Sequence, residues 1–470
     1  MFPTPQNYAI WPSVAPADTT VQLTITANER AFVFQEGAPY QVVITAVDSD
    51  ENYYAPFAQT KIDVVASQGV LAFSYDFVGE QEYTVFLKKD DLLIATFRLF
   101  SLYEDLYALA PLKGDLHSHS CRSDGTRDAA AQAGYYRESG FDFVALTDHN
   151  RYYGGGEIDE VYAGVNTGLT RVLGEEVHCP GSVVHIVHVG GGKSVAERYV
   201  HDRENYEKEI ETYLLKVPNH VPAAFKERYA KAMWATDAIH AAGGLAIFPH
   251  PFWRPGPSKA YNVCPVLAVV LLQSGLFVAY EVLGGMGSTE NNHSVALWGD
   301  LRAEGLKIPV VGSSDAHRLE KDAAFSHLFT ICFAAENTNE AIIAAVKQGN
   351  CVAVEATETE NGVQYRCYGS CRLVAYAHFL LENFFPHYQH RCIGTGVAMR
   401  AYAMNECGAE LVEQNAALCQ VFRNRFFGKT AAAYPAKEIF DFEDKWRAVQ
   451  LNGPKTRGSS VDATPAKTLI

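Results

Sequence analysis

The sequence lacks the features that would carry a chain into or across a membrane. No segment of its 470 residues approaches about eighteen consecutive apolar residues, the length of a membrane-spanning helix. The opening residues, MFPTPQNYAIWPS, have neither the basic start nor the continuous apolar segment of a secretory signal peptide. We therefore expect a protein that is neither exported nor held in a membrane.

A disulfide pattern and a basic run are also missing. The ten cysteines are scattered, and Cys367 and Cys371 have the spacing of half a structural zinc site without a matching second pair. The formal net charge is −15 and no run of Lys or Arg stands out, which disfavours binding to extended nucleic acid. These absences predict a cytoplasmic protein with reduced thiols that acts on a small molecule.

The hydrophobic pattern divides the chain into four segments. Residues 1–110 contain several short runs of alternating apolar and polar residues, typical of a small antiparallel β-sandwich. Residues 111–356 alternate apolar strands with helical stretches, the pattern of a parallel α/β domain. Within them, residues 194–232 are rich in Glu, Lys, Arg and Tyr at helical spacing and predict a helical insertion that could cover the mouth of a site.

The remaining segments are predicted as helices and a tail. Residues 357–451 are expected to be helical, with helices at 372–385 and 397–427 separated by Pro386 and a turn at residues 394–396. Residues 452–470 are polar and rich in Gly, Ser, Thr and Pro, so we expect this tail to be disordered.

Seven strands are expected in the α/β domain, and histidines or carboxylates stand at or near their ends. Functional side chains gather at the carboxyl ends of parallel strands, where the loops meet at one edge of the sheet. The strand candidates are residues 112–116, 143–147, 171–176, 183–189, 245–248, 279–283 and 308–312. The side chains in question are His117, His119, Asp148, His149, Glu175, Glu176, His185, His188, His250, Glu281, Asp315 and His317, and Asp124 follows His119 in a Ser-Asp-Gly turn. So many scarce histidines at equivalent positions predict a metal site.

Side chains alternate across a strand, which sorts these candidates. His117 and His119 are two residues apart, so they point to the same side and can hold one ion. Glu175 should face away from Glu176, and only one of His185 and His188 should face the site. Other histidines are expected on the surface or in helices, namely His178, His201, His220, His240, His293 and His327.

The donor types indicate which metals would bind. Imidazole and carboxylate without thiolate suit Zn, Mn or Fe better than Mg or Ca. The plausible ligands outnumber what one ion can use, which implies two or three divalent ions sharing bridging carboxylates. Such ions stabilise attacking and leaving oxygens and convert water to hydroxide near neutral pH, which favours hydrolysis at phosphorus or at an activated carbonyl.

The motifs GDLHSHSCRSDG, LTDHN, GEE, HIV, FPHP and SSDAH, in this order, resemble the PHP (polymerase and histidinol phosphatase) superfamily over residues 112–355. The resemblance implies metal-dependent phosphoesterase activity on a distorted seven-stranded, TIM-like (β/α) barrel. The linked first motifs after a β-rich domain are similar to a branch that includes carbamate-ester hydrolases. The superfamily also includes nucleotide phosphatases and exonucleases.

The resemblance also implies roles for individual residues. It selects Glu176 from Gly-x-Glu, selects His185 over His188, and makes Asp148 a supporting carboxylate. The metal ligands so implied are His117, His119, Asp124, His149, Glu176, His185, His250, Asp315 and His317. The long insertion and the helical C-terminal region depart from the family, and both bear on the substrate.

Catalytic residues beyond the metal ligands are predicted from the strand-end loops. Arg254 and Arg318 follow ligand-bearing turns and are the preferred phosphate clamp, with Arg151 a third possibility. His317 or His250 could protonate the leaving oxygen, and Asp148 would support the site. We expect a phosphoric ester hydrolase, a phosphatase or phosphodiesterase, acting on a small phosphorylated compound. The alternatives are a carbamate or ester hydrolase, an exonuclease, or a non-enzymatic metal-binding interaction module.

Overall fold

The computed structural model describes residues 6–47, 59–255 and 260–434. Its N-terminal part forms two facing sheets, with strand orders β1-β3-β6 and β2-β8-β7-β4-β5. The strands are β1 (Tyr8–Trp11), β2 (Val14–Pro16), β3 (Thr19–Ala27), β4 (Pro39–Ala46), β5 (Gln59–Val65), β6 (Leu71–Phe77), β7 (Gln81–Lys89) and β8 (Leu92–Leu102). Alternate side chains such as Leu23, Val42 and Val85 are buried between the sheets. One pair departs from the antiparallel pattern expected, because β2 runs parallel to β8.

Among the described residues, the α/β part contains ten strands and nine helices. Its elements are α1 (Glu104–Tyr107), β9 (Ala110–Asp115), α2 (Ala129–Glu138), β10 (Phe143–Leu146), α3 (Gly156–Val161), β11 (Thr170–His178), β12 (His185–Gly190), α4 (Ala196–His201), α5 (Arg203–Leu214), α6 (Lys226–Ala241), β13 (Gly244–Phe248), α7 (Pro265–Gln273), β14 (Ala279–Leu283), α8 (Ser288–Ala303), β15 (Val310–Gly312), β16 (Leu328–Ala334), α9 (Asn339–Lys347), β17 (Cys351–Thr359) and β18 (Gly362–Tyr368). Beyond α1, its helices α2 to α9 pack around the sheet or form the insertion.

The strands form one sheet in the order β15-β14-β13-β12-β11-β10-β9-β16-β17-β18. The seven predicted strands are therefore present as β9 to β15, in sequential order. β10, β13 and β14 are buried throughout, as expected for apolar runs covered on both faces. β12 is an exception to the parallel pattern, since it runs antiparallel to β11 and β13. The six residues between β11 and β12 are too few for a crossover helix, so the chain returns directly.

The sheet curls until β15 lies beside β16. Thr330 makes the contact, because its Oγ1 donates to the Gly312 carbonyl at 2.7 Å and accepts from the Gly312 N–H at 3.0 Å. A β-carbon on Gly312 would lie 2.7 Å from the Phe329 carbonyl oxygen, so glycine permits this approach. Within the described ranges a side chain thus joins the edge strand β15 to β16, whereas a closed seven-stranded (β/α) barrel would have a backbone ladder at its closure.

The C-terminal helices differ from the prediction in their boundaries. The boundary expected between residues 356 and 357 falls within β17, and β17 and β18 form a hairpin. The helices are α10 (Cys371–Asn383), α11 (Phe385–Ala403) and α12 (Ala409–Phe426). The tail at 452–470 lies outside the described residues.

A break occurs beside Pro386, as predicted, since α10 ends at Asn383 and α11 begins at Phe385, but the glycines of residues 394–396 were wrongly interpreted as a second break. Pro386 occupies the first turn of α11, where a missing N–H costs nothing. Gly396 is needed for packing, because a β-carbon there would lie 2.4 Å from the Gly134 carbonyl oxygen of α2. The glycine-rich segment therefore brings two helices together inside one continuous helix.

The insertion is helical, as predicted, and consists of α4, α5, a short 3-10 turn at Ala223–Phe225 and the start of α6. Tyr199, Tyr206 and Trp234 form its aromatic core. No helix in the described ranges is long and apolar enough to cross a bilayer.

Candidate metal centre

The loops after β9, β10 and β15 are joined by backbone hydrogen bonds. The Asp315 N–H donates to the His117 carbonyl at 2.8 Å, and the His119 N–H donates to the Ala316 carbonyl at 2.9 Å. The Thr147 N–H donates to the Ser118 carbonyl at 2.8 Å. This bonding holds the first, second and last motifs side by side at one edge of the sheet.

Two of the cluster residues adopt left-handed backbone conformations. His250 has φ +24° and Asp315 has φ +49°, values that non-glycine residues rarely adopt. Asn150, which directly follows His149, has φ +55°. Strained backbone of this kind concentrates at functional sites, where surrounding contacts hold the side chains in place.

Glu176 lies at the centre of the site, with six histidines around its carboxylate. Its Oε2 lies 2.8 Å from His149 Nδ1, 3.4 Å from His178 Nε2 and 3.5 Å from His117 Nε2. His119 Nε2 is 3.6 Å from the same oxygen. On the other oxygen, Oε1 lies 2.8 Å from His185 Nδ1 and 3.2 Å from His250 Nε2.

Asp315 and Asp124 extend the cluster on either side of His119. Asp315 Oδ1 lies 3.0 Å from His119 Nε2 and 3.3 Å from His117 Nε2. Asp124 Oδ2 lies 3.3 Å from His149 Nε2 and 3.4 Å from His317 Nε2. All nine metal-ligand positions predicted from the sequence therefore meet in one cluster.

Four overlapping groups in this cluster have donor atoms close enough to share an ion. They are His119, Asp124, His149 and His317; His117, His119 and Asp315; His117, Glu176 and His250; and His149, Glu176 and His178. Glu176, His117, His119 and His149 each belong to two groups. The shared donors make the arrangement suitable for several neighbouring ions.

The buried nitrogens of the cluster fit a metal. His117 Nε2, His149 Nδ1, His178 Nε2 and His185 Nδ1 are buried without a hydrogen-bond partner. Leaving such atoms unpaired is costly, and each lies within 4 Å of a Glu176 oxygen. A cation between these nitrogens and the carboxylate would satisfy both, and the thiolate-free donor set suits Mn, Zn or Fe.

The electrostatics favour ionised carboxylates. Burial opposes protonation of His117, His149 and His250, but the neighbouring carboxylates outweigh it and raise the pKa of each ring, so a cation bound here would displace protons from them. Burial lowers the pKa of His185 to about 4, so its ring stays neutral. Burial raises the pKa of the Glu176 carboxyl, but His185 and His117 outweigh it and hold that pKa well below its usual range. Burial likewise opposes ionisation of Asp315, and His117 and His119 again lower its pKa.

Buried carboxylates behind the cluster orient its members. Glu281 Oε2 lies 3.0 Å from His117 Nδ1, which turns the Nε2 of that ring toward Glu176 and Asp315. Asp115 accepts hydrogen bonds from the His117 N–H, the Ser314 N–H and the Tyr136 hydroxyl at 2.8–3.1 Å. Sequence reasoning gave neither Glu281 nor Asp115 a role, although Glu281 stands at a strand end like the other candidates.

Asp148, which follows β10, supports the cluster by binding the loop between His119 and Asp124. Its Oδ1 accepts from the Ser120 N–H and the Ser123 hydroxyl, both at 2.8 Å, and its Oδ2 accepts from the Ser120 hydroxyl at 2.7 Å. This agrees with the supporting role inferred from the sequence. Asp148 acts here on the loop that carries Asp124, and a direct catalytic role for Asp148 stays a prediction.

His178 was wrongly placed outside the site. Its ring stacks on His185 with centroids 3.7 Å apart, and its Nε2 approaches Glu176. β11 runs two residues beyond Glu176, so His178 lies on the same face, and the antiparallel β12 places His185 opposite it. The alternation rule applied to His117 and His119 would have identified His178.

Glu175 and His188 lie on the opposite face of the sheet, as alternation predicts. Glu175 accepts from the Ser194 hydroxyl at 2.8 Å and the Val195 N–H at 2.6 Å, and lies 3.2 Å from His188 Nδ1. Glu176 therefore belongs to the metal cluster, whereas the adjacent Glu175 binds the start of the insertion. On the cluster side, the insertion's Tyr199 donates to Asn150 at 2.5 Å.

The two arginines predicted to bind phosphate have other contacts. Arg254 Nε lies 3.2 Å from Glu290, and its guanidinium packs over Tyr261. Arg318 is exposed, and its backbone N–H donates to Asp322 at 2.6 Å. Among the described contacts, neither arginine touches a cluster residue, so their clamp role remains a prediction.

Comparison with known proteins gave matches among solved structures only. No protein-family model and no curated protein matches this chain. A two-domain protein from Bacteroides vulgatus containing a predicted PHP-like metal-dependent phosphoesterase is similar over 56% of this chain and 76% of its own, with 18% identity and a TM-score of 0.36. A protein from Bifidobacterium adolescentis, described as a possible metal-dependent phosphoesterase, is similar over 43% and 87%, with 18% identity and a TM-score of 0.32.

An amidohydrolase from Chromobacterium violaceum, with bound sulfate and no metal, is similar over 44% of this chain and 89% of its own. Its identity to this chain is 21% and its TM-score is 0.31. Likenesses at this level leave the function to be argued from the cluster itself.

Proposed function

We propose that this protein is a metal-dependent hydrolase with two or three divalent ions of Mn, Zn or Fe, acting on a small phosphorylated substrate. The observation that carries the proposal is the Glu176 carboxylate surrounded by six histidines, four of which have buried, unpartnered nitrogens facing it. No role in packing explains so many unpaired imidazoles. The ten cysteines are all free, which supports a cytoplasmic location.

The residues of the cluster would have different roles, which depend on their positions. Bound ions would supply Lewis acidity and lower the pKa of a water molecule. His117, His119, Glu176 and His250 would hold them from the buried side, since these side chains are shielded from solvent. Asp124 and His317 are partly exposed at the opposite side, so His317 is the group best placed to give a proton to a leaving oxygen.

Phosphate esters are the substrates that such an ion cluster suits best, because it neutralises charge on the phosphoryl oxygens. The net charge of −15 argues against an extended nucleic acid, and therefore against an exonuclease. Arg318, beside His317 in sequence and exposed, is the remaining candidate for a phosphate contact.

One observation favours the second candidate, hydrolysis of a carbamate or other ester. Arg254 is already neutralised by Glu290, and Arg122 at the loop of the first motif is bound by Glu157 at 2.8 Å. A site whose nearby cations are paired is less selective for a dianion and could accept a neutral ester.

The test is purification followed by elemental analysis and a panel of aryl phosphate monoesters, diesters, carbamates and carboxylic esters, with Mn, Zn and Fe supplied separately. We expect bound metal and turnover of phosphate esters, with Asp315→Asn inactive and the exposed Asp300→Asn active. Turnover of carbamates or carboxylic esters alone would favour the second candidate. A protein that binds metal and hydrolyses nothing in the panel would instead be a binding module, and the proposal would fail.

A further inference from the structure

The loop after β10 uses a side chain to continue its pairing with β11. The Glu176 N–H donates to the Thr147 carbonyl at 2.9 Å, and the Asn150 N–H donates to the Glu176 carbonyl at 2.9 Å. Two residues further along β11, the His178 N–H donates to the side-chain oxygen Oδ1 of Asn150 at 2.8 Å. Asn150 therefore extends the pairing of the two chain segments as far as His178.

This pairing fixes the separation of two histidines of the metal cluster. His149 directly precedes Asn150, and the centroids of the His149 and His178 rings lie 4.4 Å apart. Both rings reach Glu176 Oε2, His149 through Nδ1 at 2.8 Å and His178 through Nε2 at 3.4 Å. The backbone of Asn150, with φ +55°, is left-handed, a conformation that asparagine adopts more readily than most residues. One amide side chain thus holds two imidazoles beside one carboxylate.

The same Asn150 oxygen accepts a second hydrogen bond, which comes from the insertion. The Tyr199 hydroxyl of α4 donates to Asn150 Oδ1 at 2.5 Å. Tyr199 is 5% exposed, and its ring packs against Tyr206 and Trp234 with centroids 5.4 and 5.9 Å away. The hydroxyl therefore reaches Asn150 from a buried aromatic core.

The start of α4 is bound to β11 as well. Glu175 accepts hydrogen bonds from the Val195 N–H at 2.6 Å and the Ser194 hydroxyl at 2.8 Å, four and five residues before Tyr199. Because α4 is held both at its start and through Tyr199, it has little freedom to move away from Asn150.

We propose that Tyr199 is a positioning residue of the metal centre and acts through Asn150. The hydrogen bonds of Asn150 set the separation of His149 and His178, and thereby the affinity for the ion bound between them. This inference rests on the proposed function, because it needs a metal ion in the cluster. It makes the insertion, which departs from the family pattern in sequence, a part of the metal centre.

Calorimetric titration of the metal-free protein with Zn²⁺ tests this role. Tyr199→Phe keeps the buried ring and removes the hydroxyl, and it should weaken one class of Zn²⁺ site about tenfold, as the loss of a group that orients a metal ligand does. Tyr213→Phe is the matched control, because it also removes a tyrosine hydroxyl of the insertion, one that donates to Asp237 of α6 at 2.8 Å. This control should bind Zn²⁺ like the wild type.

A second variant shows whether Tyr199 acts through Asn150. Asn150→Gly removes Oδ1, and glycine adopts the left-handed backbone of this position without strain. It should weaken the same site at least about tenfold, and adding Tyr199→Phe to it should change the affinity by less than about twofold. Losses that multiply in the double variant would mean that Tyr199 acts by another route, and would overturn the proposal.

Hydrogen exchange of the His178 amide gives a readout that needs no metal. In the metal-free protein this amide should exchange about tenfold faster in Tyr199→Phe than in the wild type, and at the wild-type rate in Tyr213→Phe. Unchanged exchange in Tyr199→Phe, or wild-type Zn²⁺ affinity in that variant, would overturn this inference alone. A wild-type protein that binds neither Zn²⁺, Mn²⁺ nor Fe²⁺ would overturn the proposed function and this inference with it.

Discussion

Arg423 of α12 binds both carboxylate oxygens of Asp142, the residue that precedes β10. One guanidinium nitrogen of Arg423 lies 2.7 Å from both carboxylate oxygens, and another donates to the Pro111 carbonyl at 2.8 Å. Arg137 approaches the same carboxylate at 3.5 Å, and the Tyr388 hydroxyl donates to it at 2.8 Å. One buried carboxylate thus compensates two buried guanidinium groups and fixes the C-terminal helices to the sheet.

Removal of that carboxylate should destabilise the fold strongly. Asp142→Ala leaves two buried cations without an anion, and we expect a loss of about 3–5 kcal/mol in the free energy of unfolding. The measurement is urea unfolding followed by circular dichroism. Asp159→Ala is the matched control, since Asp159 pairs with Arg171 at the surface and should cost about 1 kcal/mol or less. Equal losses in the two variants would contradict the central role of Asp142.

Lys113, in β9, should make stability depend on alkaline pH. Its ammonium is buried over Phe141 and Phe329 and donates to the Ser139 carbonyl at 3.1 Å. Burial lowers its pKa from 10.5 to about 8. Between these values the unfolded chain binds more protons than the folded one, so this group makes the free energy of unfolding rise with pH.

The Lys113→Met variant lacks that dependence and isolates it. The stability advantage of the variant over the wild type should shrink by roughly 2–3 kcal/mol between pH 7 and pH 10. Urea unfolding of both proteins at four pH values measures the difference. Parallel pH profiles would show that Lys113 is charged in the folded protein throughout.

The alternation of apolar and polar residues was sufficient to predict the strands of the α/β part and the residues of the cluster, because both depend on local periodicity. Glu175 and Glu176 were assigned to opposite faces by alternation alone, and each lies where that rule placed it. The direction of β12 could not be read this way, because alternation is the same for parallel and antiparallel strands. The error at His178 has another cause, since the predicted strand ended at residue 176 whereas β11 continues to His178.

Long-range packing accounts for the other differences between the sequence predictions and the structure. Gly396 resembles a turn residue in sequence, but it serves the close approach of α11 and α2, which only the folded chain reveals. The engagement of Arg254 by Glu290 likewise joins residues distant in sequence. Neither relationship leaves a periodic signal that could be read in advance.

His178 should contribute to metal binding although it lies outside the recognised motifs. His178→Ala removes the nitrogen 3.4 Å from Glu176 Oε2, and we expect the affinity for the ion held by His149, Glu176 and His178 to fall about 10–100-fold. Titration of the metal-free protein with Zn²⁺ in a calorimeter measures this loss. The exposed His240→Ala should bind like the wild type, and a His178→Ala protein that does so too would return His178 to a packing role.

The adjacent glutamates allow a sharper separation of metal binding from folding. Glu176→Gln keeps the side-chain shape and removes the charge at the centre of six imidazoles, so metal content and turnover should both fall by more than about 100-fold. Glu175→Gln weakens the bonds to Ser194, Val195 and His188 on the other face, and should cost about 1–3 kcal/mol of stability. Metal content per folded molecule should be unchanged in Glu175→Gln. Elemental analysis measures the metal content of both variants, and urea unfolding measures their stability. Loss of metal from both variants would mean that the two faces of β11 are not independent.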